Sequence, residues 1–268
     1  RRTLASARRL LNRVTLGLFL AQLATMVLLT VLESFRKRRR TLRRFPVTAP
    51  EPLHVNRNEV TVYTYGADLY DAMIEAIDAA ADHVYFETYI WKGDEAGQRF
   101  VDALARAADR GVDVYAVWDQ FGNMVVPSSF YRAIPKNIKT FAYPALPKPW
   151  SIQTWGFDHR KMLTVDGRVG FVGGYNIGSP YATEWRDTHV RIEGPDVWDL
   201  KRAFADFWNL HRRRRLGSSG QPLLLEAASQ WDPRVRVHRN VPRLWMFPIR
   251  AMYLEAINRA TRNVWLTQ

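Results

Sequence analysis

The sequence predicts an α/β fold, with a mixed, mostly parallel sheet flanked by helices and preceded by one N-terminal transmembrane helix. Three observations predict it. A long uncharged apolar segment lies near the N-terminus, and short β-branched or aromatic segments alternate with amphipathic ones after it. In addition, 47% of the 268 residues are hydrophobic, enough to bury a full core. We therefore expect one or two globular domains behind a membrane anchor.

The apolar segment covers residues 14–32, nineteen positions without a charged side chain. As a helix it would rise about 28 Å, close to the roughly 30 Å thickness of a membrane's hydrocarbon core. A dense basic run follows it, which is typical of a stop-transfer sequence and not of a signal peptide. A buried core helix is the alternative, although such helices are rarely apolar on every side. We predict a basic-flanked membrane anchor over residues 1–44 and a proline-containing linker over residues 45–56.

The formal charge of +13 is concentrated in this anchor. Residues 1–44 hold twelve Arg or Lys and a single acidic residue, Glu33, which leaves a charge of +2 for the rest of the chain. A nearly neutral body argues against nucleic acid as a partner, because binding it needs basic side chains along the phosphate backbone. The basic arm suits anionic lipid headgroups. Its seven basic residues after the span, against five before it, favour a cytoplasmic body, and we expect the anchor to lie in the inner (plasma) membrane.

Behind the linker, strand-like and helical segments alternate. A strand is predicted at Glu59–Thr64, and apolar residues at helical spacing predict a helix over about Ala67–Ala81. His83–Ile90 and Val112–Trp118 are rich in β-branched and aromatic residues, and Glu95–Arg110 between them is a second helix. Helices between strands imply crossover connections, and these favour a parallel sheet covered on both faces.

The segment Phe141–Phe157 has no clear period and contains several prolines and Trp155. Two interpretations are open. The segment is either a packed surface loop or an aromatic wall beside an active site, in which case Trp155 would contact the substrate. A further helix is predicted after it, at Asp196–Leu210.

Two parts of the chain resemble one another. Residues 74–86 align with residues 254–266 at an offset of 180, with five identities in thirteen positions. Any two amphipathic helix–strand units can look alike, and that is the alternative to a true repeat. If the repeat is real, residues 57–217 form a first module, and residues 218–268 contain a linker and the start of a second one.

One segment concentrates polar residues in a fixed pattern. Because the chain has no cysteine, a thiol nucleophile and thiolate metal sites are excluded. The pattern has the form His-x-Lys-x4-Asp-x6-Gly-Gly-x-Asn, with six fixed residues in eighteen positions. A lone His-x-Lys would carry no information, whereas the joint pattern is specific. Its members are His159, Lys161, Asp166, Gly173, Gly174 and Asn176.

This spacing places each residue type where phosphodiester chemistry needs it. Positions i and i+2 of an extended strand share a face, so His159 and Lys161 project together. Near neutral pH an imidazole can be a nucleophile or a proton carrier. The ammonium of Lys161 and the amide of Asn176 can hold the charge of the non-bridging oxygens. Gly173 and Gly174 let the backbone pass close to a phosphate, since they have no Cβ.

The pattern resembles the signature of the phospholipase D superfamily, and the strand Trp185–Ile192 resembles one found in bacterial cardiolipin synthases. The resemblance covers about residues 58–268 and is strongest from Phe157 to Trp208. It implies a phospholipase D-like fold and a phosphatidyl transferase that makes cardiolipin from phosphatidylglycerol through a phosphohistidine intermediate. The resemblance implies no metal and no other cofactor.

The same resemblance implies roles for individual residues. His159 would be the nucleophile, and Asp187 would hold its other ring nitrogen and so fix the tautomer. Asp166 would support the catalytic motif rather than contact phosphate, as its turn-like position before Gly167 also indicates. Glu87, on a central strand, is a further candidate for a buried polar residue of the substrate site.

The family uses a second histidine, from a second module, to protonate the leaving alcohol and to activate the acceptor. The offset of the repeat would place that histidine near position 339, beyond Gln268, so this chain alone is expected to be inactive. A second module in the same chain or in a partner would complete the site. Two other interpretations stay open: a phospholipase D-type hydrolase or nuclease, and an inactive membrane scaffold that retains the motif.

Overall fold

The computed structural model describes residues 2–39, 47–145, 156–212, 222–225, 238–240 and 246–265. The chain divides into two compact units, residues 1–46 and residues 47–268. In its described residues the first unit is a single helix, α1 (Arg2–Arg39).

Helix α1 contains the apolar segment that the sequence singles out. Its stretch Arg13–Leu32 is twenty residues long and is exposed throughout. By length and composition this stretch can cross a membrane, since twenty residues rise about 30 Å. The prediction of one N-terminal apolar helix is confirmed.

The second unit is built on one mixed sheet. In the described part of the chain its eight strands follow the order β1-β2-β8-β7-β6-β3-β4-β5. Three longer helices and two short ones accompany the sheet, and one more helix lies near the C-terminus. The strands are β1 (Pro52–Val55), β2 (Asn58–Tyr63), β3 (His83–Thr88), β4 (Asp113–Asp119), β5 (Lys139–Tyr143), β6 (Met162–Val165), β7 (Val169–Gly173) and β8 (His189–Glu193). The helices are α2 (Gly66–Asp78), α3 (Glu95–Asp109), α4 (Ser128–Arg132), α5 (Ser179–Thr183), α6 (Val197–Arg212) and α7 (Pro248–Arg259).

The expectation of a mostly parallel sheet is wrong. Only the pairs β3–β4 and β4–β5 are parallel, and the other five neighbouring pairs are antiparallel. The parallel pairs are those joined across helices, as the sequence predicts. Two of the antiparallel pairs, β1–β2 and β6–β7, are joined by tight turns, in which Asn56 and Asp166 adopt positive φ values of 55° and 52°. Such a turn makes its two strands antiparallel neighbours without a crossover.

Apolar side chains fill both faces of this sheet. One cluster lies under α2 and α3 and includes Leu69, Ile77, Phe86 and Phe100. The other lies under α6 and includes Tyr85, whose ring stacks on that of Phe204 at 4.8 Å. Helices on both faces, as predicted, hold the ends of the central strands in place.

Several boundaries differ from those the sequence predicts. Residues 52–55, assigned to the linker, form β1 at the edge of the sheet. Residues 141–143, assigned to a segment without regular structure, belong to β5. The strand expected at Trp185–Ile192 begins only at His189. Short edge strands such as β1 and β5 carry little periodic signal, because pairing with a neighbouring strand defines them more than their own pattern does.

Helix α7 lies within two residues of the place where an offset of 180 puts a copy of α2. The two helices differ in burial. Met73 and Ile77 of α2 are 3% and 0% exposed, whereas the aligned Tyr253 and Ile257 of α7 are 56% and 41% exposed. A second module that begins at α7 stays a prediction.

Candidate active site

The motif segment lies at the edge of the sheet where the parallel strands β3 and β4 end. Strand β6 runs antiparallel to β3, with Met162 opposite Glu87, so the residues just before β6 reach this edge. The ends of neighbouring strands thus bring polar residues from distant parts of the sequence together.

His159 and Lys161 lie side by side at this edge. The Nζ atom of Lys161 donates to the carbonyl oxygen of His159 at 2.9 Å and lies 3.4 Å from its Nδ1 atom. Both residues precede β6, which begins at Met162, but the backbone there is extended enough to place the two side chains together. Lys161 is buried, at 4% exposure, whereas His159 is exposed.

Tyr89 covers both of these side chains. Its ring centroid lies 4.5 Å from that of His159, and the Nζ atom of Lys161 lies 5.1 Å from the Tyr89 ring. An ammonium over an aromatic face is stabilised by the ring's electron density. Tyr89 directly follows β3, and the sequence did not single it out.

Asn176 is held in place by Ile90, the residue that follows Tyr89. Its Oδ1 atom accepts the backbone N–H of Ile90 at 3.1 Å, and its carbonyl oxygen accepts the hydroxyl of Tyr70. The oxygen of the side-chain amide is therefore used within the protein. Its NH₂ group is the part that can donate to an anion.

The two glycines of the motif allow β7 to approach the start of β8 closely. A Cβ atom at Gly174 would lie 2.0 Å from Oδ1 of Asp187, and one at Gly173 would lie 2.5 Å from the carbonyl oxygen of Thr188. Glycine is required at both positions for this close approach. It brings the carboxylate of Asp187 into the motif region.

The charge of Asp187 acts on the reactive pair. Desolvation and the nearby Lys161 lower the pKa of His159, while Asp187 and two other carboxylates oppose this. Within the described residues the Asp187 carboxylate accepts the N–H of Thr188 at 2.8 Å, and not an imidazole nitrogen. A direct bond from Asp187 to His159 stays a prediction.

Burial also changes the acidity of Lys161. Desolvation lowers its pKa to about 8, and the charges of Asp187 and Asp158 only partly oppose this. At neutral pH, His159 is therefore largely neutral while Lys161 keeps its proton. A neutral imidazole beside an ammonium can attack an anionic phosphate while the ammonium holds the developing charge.

Asp158 and Arg160 turn to the opposite face of the same segment. The Nε atom of Arg160 donates to Oδ1 of Asp158 at 2.9 Å, its Nη2 lies against the carboxylate of Glu87, and its guanidinium lies 3.9 Å from the centre of the Phe207 ring. Burial raises the pKa of Glu87 well above its ordinary value, although Arg160 opposes this. This cluster ties the motif to α6.

A model of the family described as cardiolipin synthase, PLD-like domain, matches residues 73–208, half of the chain. The chain belongs to this family. It is 33% identical over 161 residues to the major cardiolipin synthase ClsA of Bacillus subtilis, covering 57% of this chain and 33% of that relative. It is 32% identical over 236 residues to cardiolipin synthase A of Pseudomonas putida, covering 84% of this chain and 48% of the relative. The chain thus spans between a third and a half of the curated relatives it matches.

The predicted resemblance to the phospholipase D superfamily is confirmed by these matches. Among solved structures, Nuc from Salmonella typhimurium, a phospholipase D family member, is similar over 57% of this chain and 95% of that chain. The TM-score is 0.46 and the sequence identity is 22%.

In this phospholipase D-like domain, the predicted residues separate into two groups. Those at the sheet edge where β3 and β4 end are His159, Lys161, Gly173, Gly174, Asn176 and Asp187. Glu87 lies on the other face of the sheet with Arg160, and not beside His159. Trp155 lies outside the described residues.

Asp166 joins the motif to a neighbouring loop. Its two carboxylate oxygens accept the backbone N–H groups of Ala81, Asp82 and His83, each at 2.9 Å. Desolvation opposes ionisation of Asp166, but these three N–H groups outweigh it and hold its pKa below the ordinary value. The β6–β7 turn is thereby fastened to the start of β3.

Asp119 is a second residue of this edge that sequence reasoning missed. It is fully buried, its Oδ2 atom accepts the N–H of Asp158 at 2.8 Å, and its Oδ1 atom accepts the N–H of Gly122 at 2.9 Å. Burial raises its pKa despite these hydrogen bonds. A signal was available, because Asp119 follows the predicted strand Val112–Trp118 and Tyr89 lies near the end of the predicted strand His83–Ile90, and the ends of parallel strands form sites.

Proposed function

We propose that this protein is a membrane-bound phosphatidyl transferase that makes cardiolipin from phosphatidylglycerol through a phosphohistidine at His159. The observation that carries the proposal is the pairing of an exposed imidazole of lowered pKa with the buried ammonium of Lys161. Membership of the family and the names of its relatives support the lipid substrate.

The first step forms a covalent intermediate. A ring nitrogen of His159 attacks the phosphorus of phosphatidylglycerol, a P–N bond forms, and the P–O bond to the glycerol headgroup breaks. The departing glycerol oxygen takes a proton from a general acid. Lys161 and the amide of Asn176 hold the charge of the non-bridging oxygens during this exchange.

The second step releases the product. The group that acted as general acid has lost its proton and now acts as a general base. It takes the proton from a hydroxyl of a second phosphatidylglycerol, and the oxygen of that hydroxyl attacks phosphorus. A new P–O bond forms, the P–N bond breaks, and His159 is regenerated. Neither step consumes an oxidant, a reductant or a cofactor.

The general acid does not come from His189, a buried imidazole at the start of β8. His189 is 2% exposed, and desolvation together with Lys161 lowers its pKa to about 3. A group of that pKa holds almost no proton at neutral pH, so it is a poor general acid. We therefore assign the acid to a histidine of a second phospholipase D-like module, in the same polypeptide or in a partner.

The helix α1 supports a membrane location for this activity. Its apolar stretch Arg13–Leu32 is long enough to span a bilayer, and basic residues flank it. We propose that α1 anchors the protein in the inner (plasma) membrane, with the catalytic unit on the cytoplasmic side.

The test is to trap the intermediate in the full-length protein. Brief incubation with phosphatidylglycerol labelled with ³²P should leave acid-labile, base-stable label on the wild type and none on His159→Asn. Cardiolipin formation should fall by at least about 10⁴-fold in the variant, as for other nucleophile replacements. Unchanged cardiolipin formation in His159→Asn contradicts the mechanism, and DNA cleavage without lipid turnover contradicts the proposed substrate.

A further inference from the structure

Four exposed apolar side chains lie on two segments near His159, the loop between β4 and α4 and the residues just before His159, which Asp119 joins through the N–H of Asp158. Phe121, Met124 and Val125, between β4 and α4, are 44%, 70% and 91% exposed. Phe157, two residues before His159, is 56% exposed, and its ring centroid lies 4.4 Å from that of Phe121. We call Phe121, Met124, Val125 and Phe157 the apolar rim. Contiguous exposed apolar groups mark a contact surface more often than chance.

The backbone beneath the rim is firmly held. Asp119 binds the N–H groups of both Gly122 and Asp158, which joins the two segments of the rim. The side chain of Asn123 donates to the carbonyl oxygens of Asp119 and Tyr89, at 2.6 and 2.8 Å. It also accepts the N–H of Trp91 at 2.8 Å. The loop is thus ordered by its polar groups, while its apolar side chains face outward.

The composition of this loop indicates what it contacts. Residues 120–131 contain no charged side chain, although 24% of the whole chain is charged. Charged groups are costly inside a bilayer, whereas aromatic and aliphatic groups enter its boundary readily. An uncharged loop with exposed Phe, Met and Val therefore suits the surface region of a lipid membrane.

We propose that the apolar rim inserts into the phospholipid bilayer and lies beside the acyl chains of the lipid whose phosphate reaches His159. This inference rests on the proposed function, because only a lipid substrate must keep its chains apolar while its phosphate enters the site. The same polypeptide carries a candidate membrane span, so a bilayer is at hand. A protein interface with a second module is the competing occupant.

The first experiment measures insertion directly in the full-length protein. This chain has no cysteine, so Val125→Cys gives a unique attachment point in it for an environment-sensitive fluorophore. The control is Ala79→Cys, an exposed position at the end of α2 that precedes β3 and so lies at the opposite edge of the sheet. In phosphatidylglycerol vesicles, lipids with a nitroxide on the acyl chain should quench the label at 125 severalfold more than the label at 79.

The second experiment separates a membrane contact from a protein contact. The double variant Met124→Ser/Val125→Ser should raise KM for phosphatidylglycerol in vesicles by roughly tenfold, since two apolar side chains no longer enter the bilayer. Its turnover of a short-chain soluble phosphatidylglycerol should fall much less, because that substrate does not have to be drawn from a bilayer. The matched control is Leu53→Ser, which removes an apolar side chain of 60% exposure from β1, four strands away from β6.

Three results overturn the proposal: equal quenching at 125 and 79, an unchanged KM in vesicles, or an equal loss on vesicle and soluble substrates. The last result would assign the rim to a protein interface. Quenching needs no turnover. A wild type that forms no cardiolipin but is quenched at 125 would therefore refute the proposed function and retain the membrane contact.

Discussion

The segment 158–161 presents two faces that differ in what holds them. The odd-numbered pair, His159 and Lys161, lies at the sheet edge beside Tyr89, and its closest partners are each other and that aromatic ring. The even-numbered pair, Asp158 and Arg160, is joined to the protein by charged hydrogen bonds and by contacts with α6. Because side chains alternate along an extended backbone, the reactive pair and the anchoring pair project to opposite sides of the same four residues. Changes on the first face should alter activity, and changes on the second should alter stability.

The largest effect after loss of His159 itself is expected at Lys161. Lys161→Met should lower kcat of the full-length protein on phosphatidylglycerol vesicles by roughly 10²–10³-fold, since one preorganised charge contributes about this much. The melting temperature should not fall, because the variant no longer buries an ammonium. A loss of activity that is matched by unfolding would place Lys161 on the anchoring face instead.

The pH dependence of activity is a second test of the role of Lys161. Because burial lowers the pKa of Lys161 to about 8, the ammonium is lost as the pH rises through that value. The kcat/KM of the wild type should therefore fall above pH 8, since this ratio reports the free protein. In Lys161→Arg the guanidinium stays charged, and the fall should move to higher pH. An unmoved fall would assign it to another group.

A smaller effect, on stability, is expected on the anchoring face. Arg160→Met leaves the carboxyl groups of Asp158 and Glu87 without their shared cation, at a cost of about 3 kcal/mol. The melting temperature should drop by several degrees in thermal unfolding. The control is Arg202→Met on α6, whose side chain is 50% exposed and lies 3.8 Å from Asp206, and which should change stability by less than about 0.5 kcal/mol. Equal melting temperatures for the two variants would refute the anchoring role.

The smallest effects are expected from changes to Glu87 and Asp158, the two carboxyl groups beside Arg160. Burial raises the pKa of Glu87, so its neutral isostere Glu87→Gln should cost less than about 1 kcal/mol. Asp158→Asn should cost about 2 kcal/mol, because it removes the negative charge from the acceptor of the hydrogen bond that Arg160 donates. Both are measured by thermal unfolding at pH 7. A larger cost for Glu87→Gln would show that Glu87 is the ionised partner.

Local patterns in the sequence predicted much of the fold. The central helices and strands followed their apolar periodicity, and the motif spacing placed His159 and Lys161 together. The direction of the sheet was predicted wrongly, because β8 and β6 pair antiparallel with β2 and β3, strands far away in the sequence, and local periodicity does not reveal such pairing. Tyr89 and Asp119 were missed, because a position at the end of a predicted strand does not by itself identify a residue as a neighbour of His159.

The sequence by itself determined the apolar stretch of α1, the alternation of helices and strands, and the reactive pair of the motif. Each of these depends on neighbours within a few residues, through helix rise, side-chain period or spacing. Only the tertiary structure decided that Tyr89 covers His159, that Asp187 approaches Gly174, and that Glu87 lies on the other face. Those contacts join residues far apart in the chain, and strand pairing alone brings them within reach.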